Sequence, residues 1–399
     1  MSLTPISVLI AGAGYAGLHI SLRLSSSADR RRQFELTLID QHSYHQVITE
    51  LPRVAAGTRP ADAVRLPVEG LLGPHVRFQQ TTITAFEPAA NLVQTTSGPL
   101  PFGRLVIALG SRPNDFAIPG LAERTIPLYS VDDAQRVRDA VQTAVEKAAA
   151  SDDPAEQRRL MTAVVGGGGA TGVEIAGELA ETMPELARRK GMSPDLPKVI
   201  LVEAGPSILA GSSQGLVERA LHLLDQLHVD VRTGARITAA TAGGLTLKSG
   251  EVIRGEVFIW AGGMKAPELL AASGLPTGHN GRLKVDQYLR VLDHPSIYAA
   301  GDSASVVDRE TGHVLPPLAQ TAIDEGETVA RNLEAEAAGE PLEAFSVRDR
   351  GLAVSVGPTQ GVAEVAGVPF GGRLAHLLKD AIELEYRTSV KHLRGWSPL

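Results

Sequence analysis

Apolar residues gather along this chain in short β-branched runs, each followed by a glycine cluster and then by apolar residues at helical spacing. The first run, Ile6-Ser7-Val8-Leu9-Ile10-Ala11, leads into Gly12-Ala13-Gly14-Tyr15-Ala16-Gly17, after which Leu18, Ile20, Leu22 and Leu24 fall within a helical segment. A second strand, Phe34 to Ile39, ends at Asp40, and Ser25 to Gln33 reads as an enlarged loop before it. The same order then repeats. Met161 to Val165 is a strand, Gly166 to Gly169 is the turn, Val173 to Thr182 begins a helix, and Val199 to Val202 is the next strand, ending at Glu203. Pro184 to Lys198 reads as an inserted connection, and the polar, Ala-rich stretch Lys147 to Arg159 as a helix end and linker ahead of the second unit.

Farther along, Glu256 to Trp260 and Ser296 to Ala300 form two more buried strands ending in glycine turns, Ala261-Gly262-Gly263 and Gly301-Asp302. Both are expected to return the chain to the first unit. From about Glu340 the texture changes, with Leu352 to Val356 and Val362 to Val365 reading as a hairpin around Gly357-Pro358. Arg373 to Tyr386 follows as a helix with Leu374, Leu377, Leu378, Ala381 and Ile382 on one face.

At 399 residues the chain exceeds what one compact core accommodates, so two or three domains are expected. Hydrophobic residues at 43%, 41 glycines and 21% charged residues describe a folded α/β protein. A net charge of -7 leaves no electrostatic footing for nucleic acid, and 4% aromatic content argues against stacking on bases. Arg30-Arg31-Arg32 is a short run and reads as a solvated loop. With no cysteine there is no disulfide, thiolate metal site or redox-active dithiol. The N-terminus shows no basic segment with a cleavable apolar stretch, and no apolar run reaches the roughly 18 residues of a bilayer span. The expected location is the cytoplasm, with the inner face of the cell membrane as a peripheral site.

Both glycine clusters keep the G-x-G-x-x-G spacing of a dinucleotide fingerprint: Gly12, Gly14 and Gly17 in one, Gly167, Gly169 and Gly172 in the other. The first glycine permits a tight turn, the second lets backbone approach a pyrophosphate, and the third lets helix pack on strand. The helix N-terminus then faces the negative charge. Asp40 and Glu203, each closing the following strand, stand where a carboxylate meets a ribose hydroxyl. Glu203 would accept the adenosine 2'-hydroxyl of NADH and repel the 2'-phosphate of NADPH, and Ala204, Gly205 and Pro206 supply no arginine to offset it. NADH preference is expected. A chain that binds two dinucleotides reads as an electron-transfer enzyme. The fold class expected is α/β, with two Rossmann-like dinucleotide-binding domains and a small C-terminal α+β region; the boundaries are 1–115 with 277–335, 116–276, and 336–399.

Tyr44-His45, Thr49-Glu50-Leu51, Ala55-Ala56-Gly57, Leu109-Gly110-Ser111, Ile118-Pro119-Gly120-Leu121, Gly169-Ala170-Thr171-Gly172-Val173-Glu174, Ala300-Gly301-Asp302 and Pro316-Pro317-Leu318-Ala319-Gln320-Thr321-Ala322 together resemble type II NADH:quinone oxidoreductases, the single-subunit, non-proton-pumping NADH dehydrogenases. The resemblance runs from about Ile6 to Tyr386. It implies FAD in the first unit, NADH in the second, and a two-electron relay from NADH through flavin to a quinone, menaquinone or ubiquinone. It implies FAD contacts at Gly12, Gly14, Ala16 and Gly17, at Asp40 for the adenosine ribose, at Asp302 for the ribityl chain, and at Gly110, Gly301, Ala319 and Gln320. NADH falls to Gly167, Gly169, Thr171, Gly172, Glu203 and Gly262.

By the same resemblance Glu174 matches a glutamate implicated in proton or quinone handling, and Lys379 a lysine near the flavin and quinone pocket. A solvent-facing lysine is the other reading of Lys379. Glu174, Gln320 and Lys379 form the candidate catalytic set, and Thr49, Gln320 and Asp324 the quinone contacts. A helix starting just after Pro317 would aim N–H groups near Leu318, Ala319 and Gln320 at the flavin's pyrimidine edge. His42 and His45 are close, but no partners at metal spacing accompany them, so no metal is expected. A chain without cysteine or metal ligands has no group of its own to accept a hydride, which independently calls for a flavin.

Two segments depart from the family pattern. Where its quinone segment reads Ala-Gln-x-Ala-x-Gln, this chain ends the motif with Asp324, a carboxylate that is costly beside an apolar quinone unless paired or protonated. The C-terminus carries Glu383, Glu385, Arg387, Lys391, His392 and Arg394 where relatives are apolar, leaving Lys391, Arg394 and Trp396 for a weak hold on an anionic surface. The acceptor therefore stays open: a small electron-transfer protein or oxygen is a second enzyme reading, and a redox-sensing nucleotide-binding protein a third. The apolar face of the last helix needs a cover, from a second copy in a homodimer, another chain or lipid.

Overall fold

The computed structural model describes residues 5–309, 311–348 and 350–392. Two five-stranded sheets carry the glycine clusters. In the first the order is Ile297–Ala299, Arg104–Ile107, Ile6–Ala11, Phe34–Asp40, Val76–Gln80, all parallel. In the second it is Ile126–Pro127, Val257–Trp260, Thr162–Gly166, Lys198–Val202, Asp230–Arg232, again all parallel. The middle strands are apolar and buried on both faces, as a parallel sheet covered on both sides requires. In each sheet the glycine turn leaves the central strand at the point where strand order reverses, the place where α/β sheets open a crevice.

Val257–Trp260 does not return to the first unit as expected. It pairs with Thr162–Gly166, Val164 opposite Phe258, and only Ile297–Ala299 joins the first sheet beside Arg104–Ile107. Both runs are equally apolar, so hydrophobicity does not say which sheet each completes. The passage between sheets is a two-stranded antiparallel link, Arg112–Pro113 on Met264–Lys265, which joins the outgoing and the incoming chain.

Three stretches read as irregular are helical. Ala28–Gln33 is a helix whose N-cap, Ser27, accepts from Arg30 N, and Arg30 pairs with Glu334 at 2.7 Å rather than trailing in a solvated loop. Pro154–Leu160 is capped by Asp153 Oδ1, 2.9 Å from Ala155 N, and is pinned by Arg159 to Glu256 at 2.6 Å. The helix that follows the second glycine loop runs Ala170–Arg189 through Pro184. An internal proline costs about 3 kcal/mol, and burial of Leu179, Met183 and Ala187 outweighs it.

Each glycine-loop helix is roofed by other elements. The first, Tyr15–Leu24, packs under Ala319–Ala338, where Gly326 permits contact: a Cβ there would stand 2.8 Å from the Ala16 carbonyl oxygen. The second lies against Leu51–Ala56 and a three-stranded antiparallel sheet, Leu352–Ser355, Gly361–Val365 and Val368–Gly371, so the hairpin read from sequence has a third strand.

The C-terminal helix, Arg373–His392, crosses that sheet with its apolar stripe turned outward, the face that needs a cover from outside the chain. Leu374 is 68% exposed, Leu377 62% and Ile382 50%, while Ala375, His376, Lys379, Glu383 and Val390 are buried. Its polar residues turn inward because charged partners on three other segments await them. Arg394 and Trp396 lie outside the described residues, as do the side chains of Lys391 and His392. No described helix is long and apolar enough to cross a membrane.

Candidate functional site

The two glycine loops divide their labour identically. Gly12 (φ +108°) and Gly167 (φ +112°) occupy the left-handed region, and a Cβ on either would meet a carbonyl oxygen, Ala108 O at 2.2 Å or Ala261 O at 2.4 Å. A Cβ on Gly17 would lie 1.9 Å from Gly12 O, and one on Gly172 1.8 Å from Gly167 O, so the third glycine is fixed by helix-to-turn packing. The second glycines face open space: nothing lies nearer than 4.0 Å to Gly14 and nothing within 4 Å of Gly169. Both helices start from an extended glycine without a side-chain cap, leaving first-turn N–H groups for a ligand's negative charge.

The acidic residues tie each loop to the next strand. Asp40 Oδ2 accepts from Ala13 N at 2.8 Å. Glu203 Oε2 accepts from Gly168 N at 2.6 Å, and its Oε1 from Gly205 N at 2.5 Å. Around the first loop, Gly301 (φ +65°) wedges between the Cβ atoms of Ala16 and Ala322. Beside it Ser111 Oγ donates to Asp302 Oδ2 at 2.6 Å, and Ser303 Oγ to the Gly110 carbonyl at 3.2 Å. Asp302 is raised by burial and has lone pairs left for a hydroxyl donor, so these residues fit the sugar and pyrophosphate of a dinucleotide. Beneath them Glu325, 1% exposed, accepts from Gly301 N at 2.5 Å, and burial pushes it up to about 8.

The second loop opens on a cleft of about 470 Å³ lined by Gly167, Glu203, Ala204, Arg236, Trp260 and Gly262, among others. Trp260 forms its floor: a Cβ on Gly262 would strike the indole at 2.4 Å, and Nε1 donates to Asn114 O at 2.8 Å. Thr171 is exposed on the helix's first turn. At the rim Phe116 (φ +50°) and Ala117 (φ +53°) hold left-handed conformations, stapled by Asn114 and Asp115 side-chain oxygens to their N–H groups.

A buried charged array lies under the C-terminal helix. Lys379 Nζ donates to Glu174 Oε1, which also accepts from Ser355 N at 3.2 Å. Glu383 stands 3.7 Å from the same Nζ and 3.5 Å from Arg53, and burial pushes it up to about 7. Arg53 reaches Asp380 at 2.5 Å and approaches Glu178, which accepts from Thr58 Oγ1 at 2.9 Å. Glu50, fully buried, pairs with Arg59 at 2.6 Å and with Arg387. His45 donates from Nδ1 to Ala13 O at 2.9 Å and accepts at Nε2 from Tyr386 at 2.7 Å; burial holds it down at about 4, so the neutral tautomer is set by its partners. The last helix is thereby bonded to both glycine-loop units.

At the other end of Leu352–Ser355, Gln320 Nε2 donates to Gly351 O at 3.4 Å, and the buried Asp324 pairs with Arg350. That pairing answers the cost of a carboxylate in this place. The helix begins at Ala319, with Leu318 as an uncapped, extended N-cap, so Pro316 and Pro317 precede the helix rather than fill its first turn. Thr49 lies beside Tyr15, and among the described residues no hydrogen bond joins it to Gln320 or Asp324.

Residues 6–326 match the family model described as pyridine nucleotide-disulphide oxidoreductase. The chain is 32% identical over 380 residues to the type II NADH:quinone oxidoreductase of Staphylococcus aureus, covering 94% of both. It belongs to the type II NADH:quinone oxidoreductase family. The fold is shared more widely: NDH2 from Plasmodium falciparum in complex with NADH has a TM-score of 0.87 at 18% identity, with 98% of this chain and 96% of that one covered. The sulfide:quinone oxidoreductase of Aquifex aeolicus has a TM-score of 0.78 at 16% identity, with 97% and 92% covered.

Within this family frame, the structure brings Glu174 and Lys379 into one ion pair and gathers Gly110, Gly301 and Asp302 by the first loop. Glu50, Arg53, Glu178, Glu325, Arg350, Glu383 and Arg236 were not singled out as site residues from the sequence. A signal for two of them was present: Glu178 is one turn beyond Glu174, and Glu383 one turn beyond Lys379, so each helix presents paired charges at i, i+4 on the face it buries.

Proposed function

We propose that this protein is an FAD-dependent NADH:quinone oxidoreductase in which residues 1–115 with 277–335 hold FAD, 116–276 hold NADH, and the C-terminal region 336–399 supplies Lys379 to Glu174. The observation that carries it is the pair of equivalent glycine loops, each with a carboxylate on its loop amide, and each tied to the last helix, one through Glu174–Lys379 and the other through His45–Tyr386. Bound FAD supplies the two-electron chemistry between donor and acceptor. Glu203 takes the adenosine ribose and rejects a 2'-phosphate. Asp302, set by Ser111, takes a ribityl hydroxyl, and the uncapped first turn at Ala319 favours negative charge before it. Lys379 and Glu174 form a buried ion pair within the site, with the carboxyl of Glu383 3.7 Å from the same ammonium. Gln320 and the paired Asp324 mark the acceptor side.

The visible spectrum of the purified protein tests this in one cuvette. NADH should bleach the flavin bands and a soluble menaquinone or ubiquinone analogue should restore them; bleaching with no restoration by any quinone sinks the quinone assignment. Glu174→Gln should slow quinone turnover by about 100-fold or more, in the range of general acid–base effects, and unchanged turnover removes Glu174 from the mechanism.

The protein lies on the cytoplasmic face of the membrane through the exposed Leu374, Leu377, Ile382 and Leu384, a contiguous helical stripe that needs a cover. Leu377→Asp with Ile382→Asp should abolish cosedimentation with anionic vesicles. If it instead converts a dimer to a monomer, the stripe is a subunit interface.

A further inference from the structure

The NADH cleft contains a second charged residue that the glycine motif does not announce. Arg236 precedes the strand Ile237–Thr241 and lines the same cleft as Glu203 and Ala204. Its carbonyl accepts from Lys248 N at 2.7 Å, which fixes its backbone in the turn. Its side chain is exposed, and among the described residues it makes no ion pair or side-chain hydrogen bond. Glu203 is in the opposite condition: both oxygens are engaged by backbone N–H groups of the loop that receives the pyrophosphate. The two charges therefore share one cleft without cancelling. One is held rigidly; the other is free to follow a ligand.

A guanidinium beside adenosine has two uses. It can lie on the purine face, and it can form a fork on a phosphate at the ribose 2' position. With Glu203 in place a 2'-phosphate meets a fixed carboxylate first, so only the first use is available. We infer that Arg236 is a coenzyme-specificity residue: it clamps the adenine of NADH in the native protein and becomes the 2'-phosphate receptor when the Glu203 carboxylate is removed. This rests on NADH occupying the second loop, as proposed above. The NADH preference is then a contest between two residues of this cleft, decided by the tethering of one of them.

Steady-state kinetics with NADH and NADPH on the FAD-loaded protein test it, with the flavin spectrum reporting that each variant is folded. Arg236→Ala should raise the KM for NADH about 3- to 10-fold with kcat unchanged, the size of a lost cation–π contact. Glu203→Ala should raise kcat/KM for NADPH by about 10- to 100-fold, the range of charge-assisted bonds to phosphate, and added salt should erode that gain. The double variant should lose it. Glu203→Gln, which keeps an acceptor for one loop amide, serves if Glu203→Ala does not fold. An NADPH gain that survives Arg236→Ala, with NADH KM unmoved by that substitution, overturns the inference while leaving the site intact. If Glu203 variants move neither coenzyme's KM, the placement of NADH itself fails.

Discussion

In the first unit every residue of the helix after the glycine turn, Tyr15 to Leu24, is buried except Arg23, and the Ala319–Ala338 helix closes on it at Ala16. In the second unit the corresponding turn repeats the nearest carbonyl contacts of its first and third glycines, 2.4 and 1.8 Å against 2.2 and 1.9 Å, yet it faces an open cleft with Phe116 and Arg236 exposed in its lining. The loop motif thus specifies how a pyrophosphate is approached; the helices behind both loops are covered, and what differs is the cleft left open in front of the second loop. An open cleft suits a coenzyme that must arrive and leave in each turnover.

The largest expected effects separate the two loops. Gly12→Ala would place a methyl against Ala108 O at a φ that alanine resists, and should cost more than about 3 kcal/mol of FAD binding, a hundredfold or more, read as colourless purified protein. Gly167→Ala, equally strained, should leave the protein yellow while abolishing bleaching by NADH. If both variants lose flavin alike, the units are not separable and the comparison breaks.

Next comes the link between the units and the last helix. Lys379→Met leaves Glu174 buried without its cation and should destabilise the protein by about 3–5 kcal/mol, seen as a lowered urea midpoint. The double change Glu174→Gln with Lys379→Met should recover much of that loss; no recovery would mean the pair is not coupled.

A pH signature belongs to the first unit. Glu325, held up at about 8 by burial, binds a proton in the folded state that the unfolded chain has released above about 4.5. Its contribution is therefore present at low pH and lost as pH rises toward 8, with a slope of at most about 1.4 kcal/mol per pH unit. His19 and His45, both lowered to about 4, act in the other direction between about 4 and 6.5. The Glu325 decline should thus stand clear between pH 6.5 and 8, alongside a smaller share from Glu383. Thermal melts of Glu325→Gln across that window should be flatter than those of the native chain, and parallel curves would discard this assignment.

The smallest effect concerns the short helices added to each unit. Ser27→Ala and Asp153→Ala each remove an N-cap and should cost about 1 kcal/mol or less in stability, without changing NADH kinetics. A kinetic change in either would show that these appendages reach the site.

Alternation of β-branched runs, glycine turns and helical spacing determines by local chemistry alone that two strand–turn–helix units exist, because a left-handed glycine and an apolar strand are properties of a few consecutive residues. The same holds for Asp40 and Glu203, which close their strands. Other choices rest on competition between distant segments. Val257–Trp260 and Ile297–Ala299 have the same apolar texture, and which sheet each joins depends on the partner strands already in place. Pro184 sits inside a helix because packing outweighs its local penalty. The C-terminal helix shows an apolar stripe in its sequence, but which face meets the protein is decided elsewhere: ion pairs from Glu174, Arg53 and Glu50 turn its charged face in and leave the stripe outside. Arg236 lines the cleft by the second glycine loop together with Glu203 and Trp260, and spatial proximity between segments far apart in sequence is a property of packing alone.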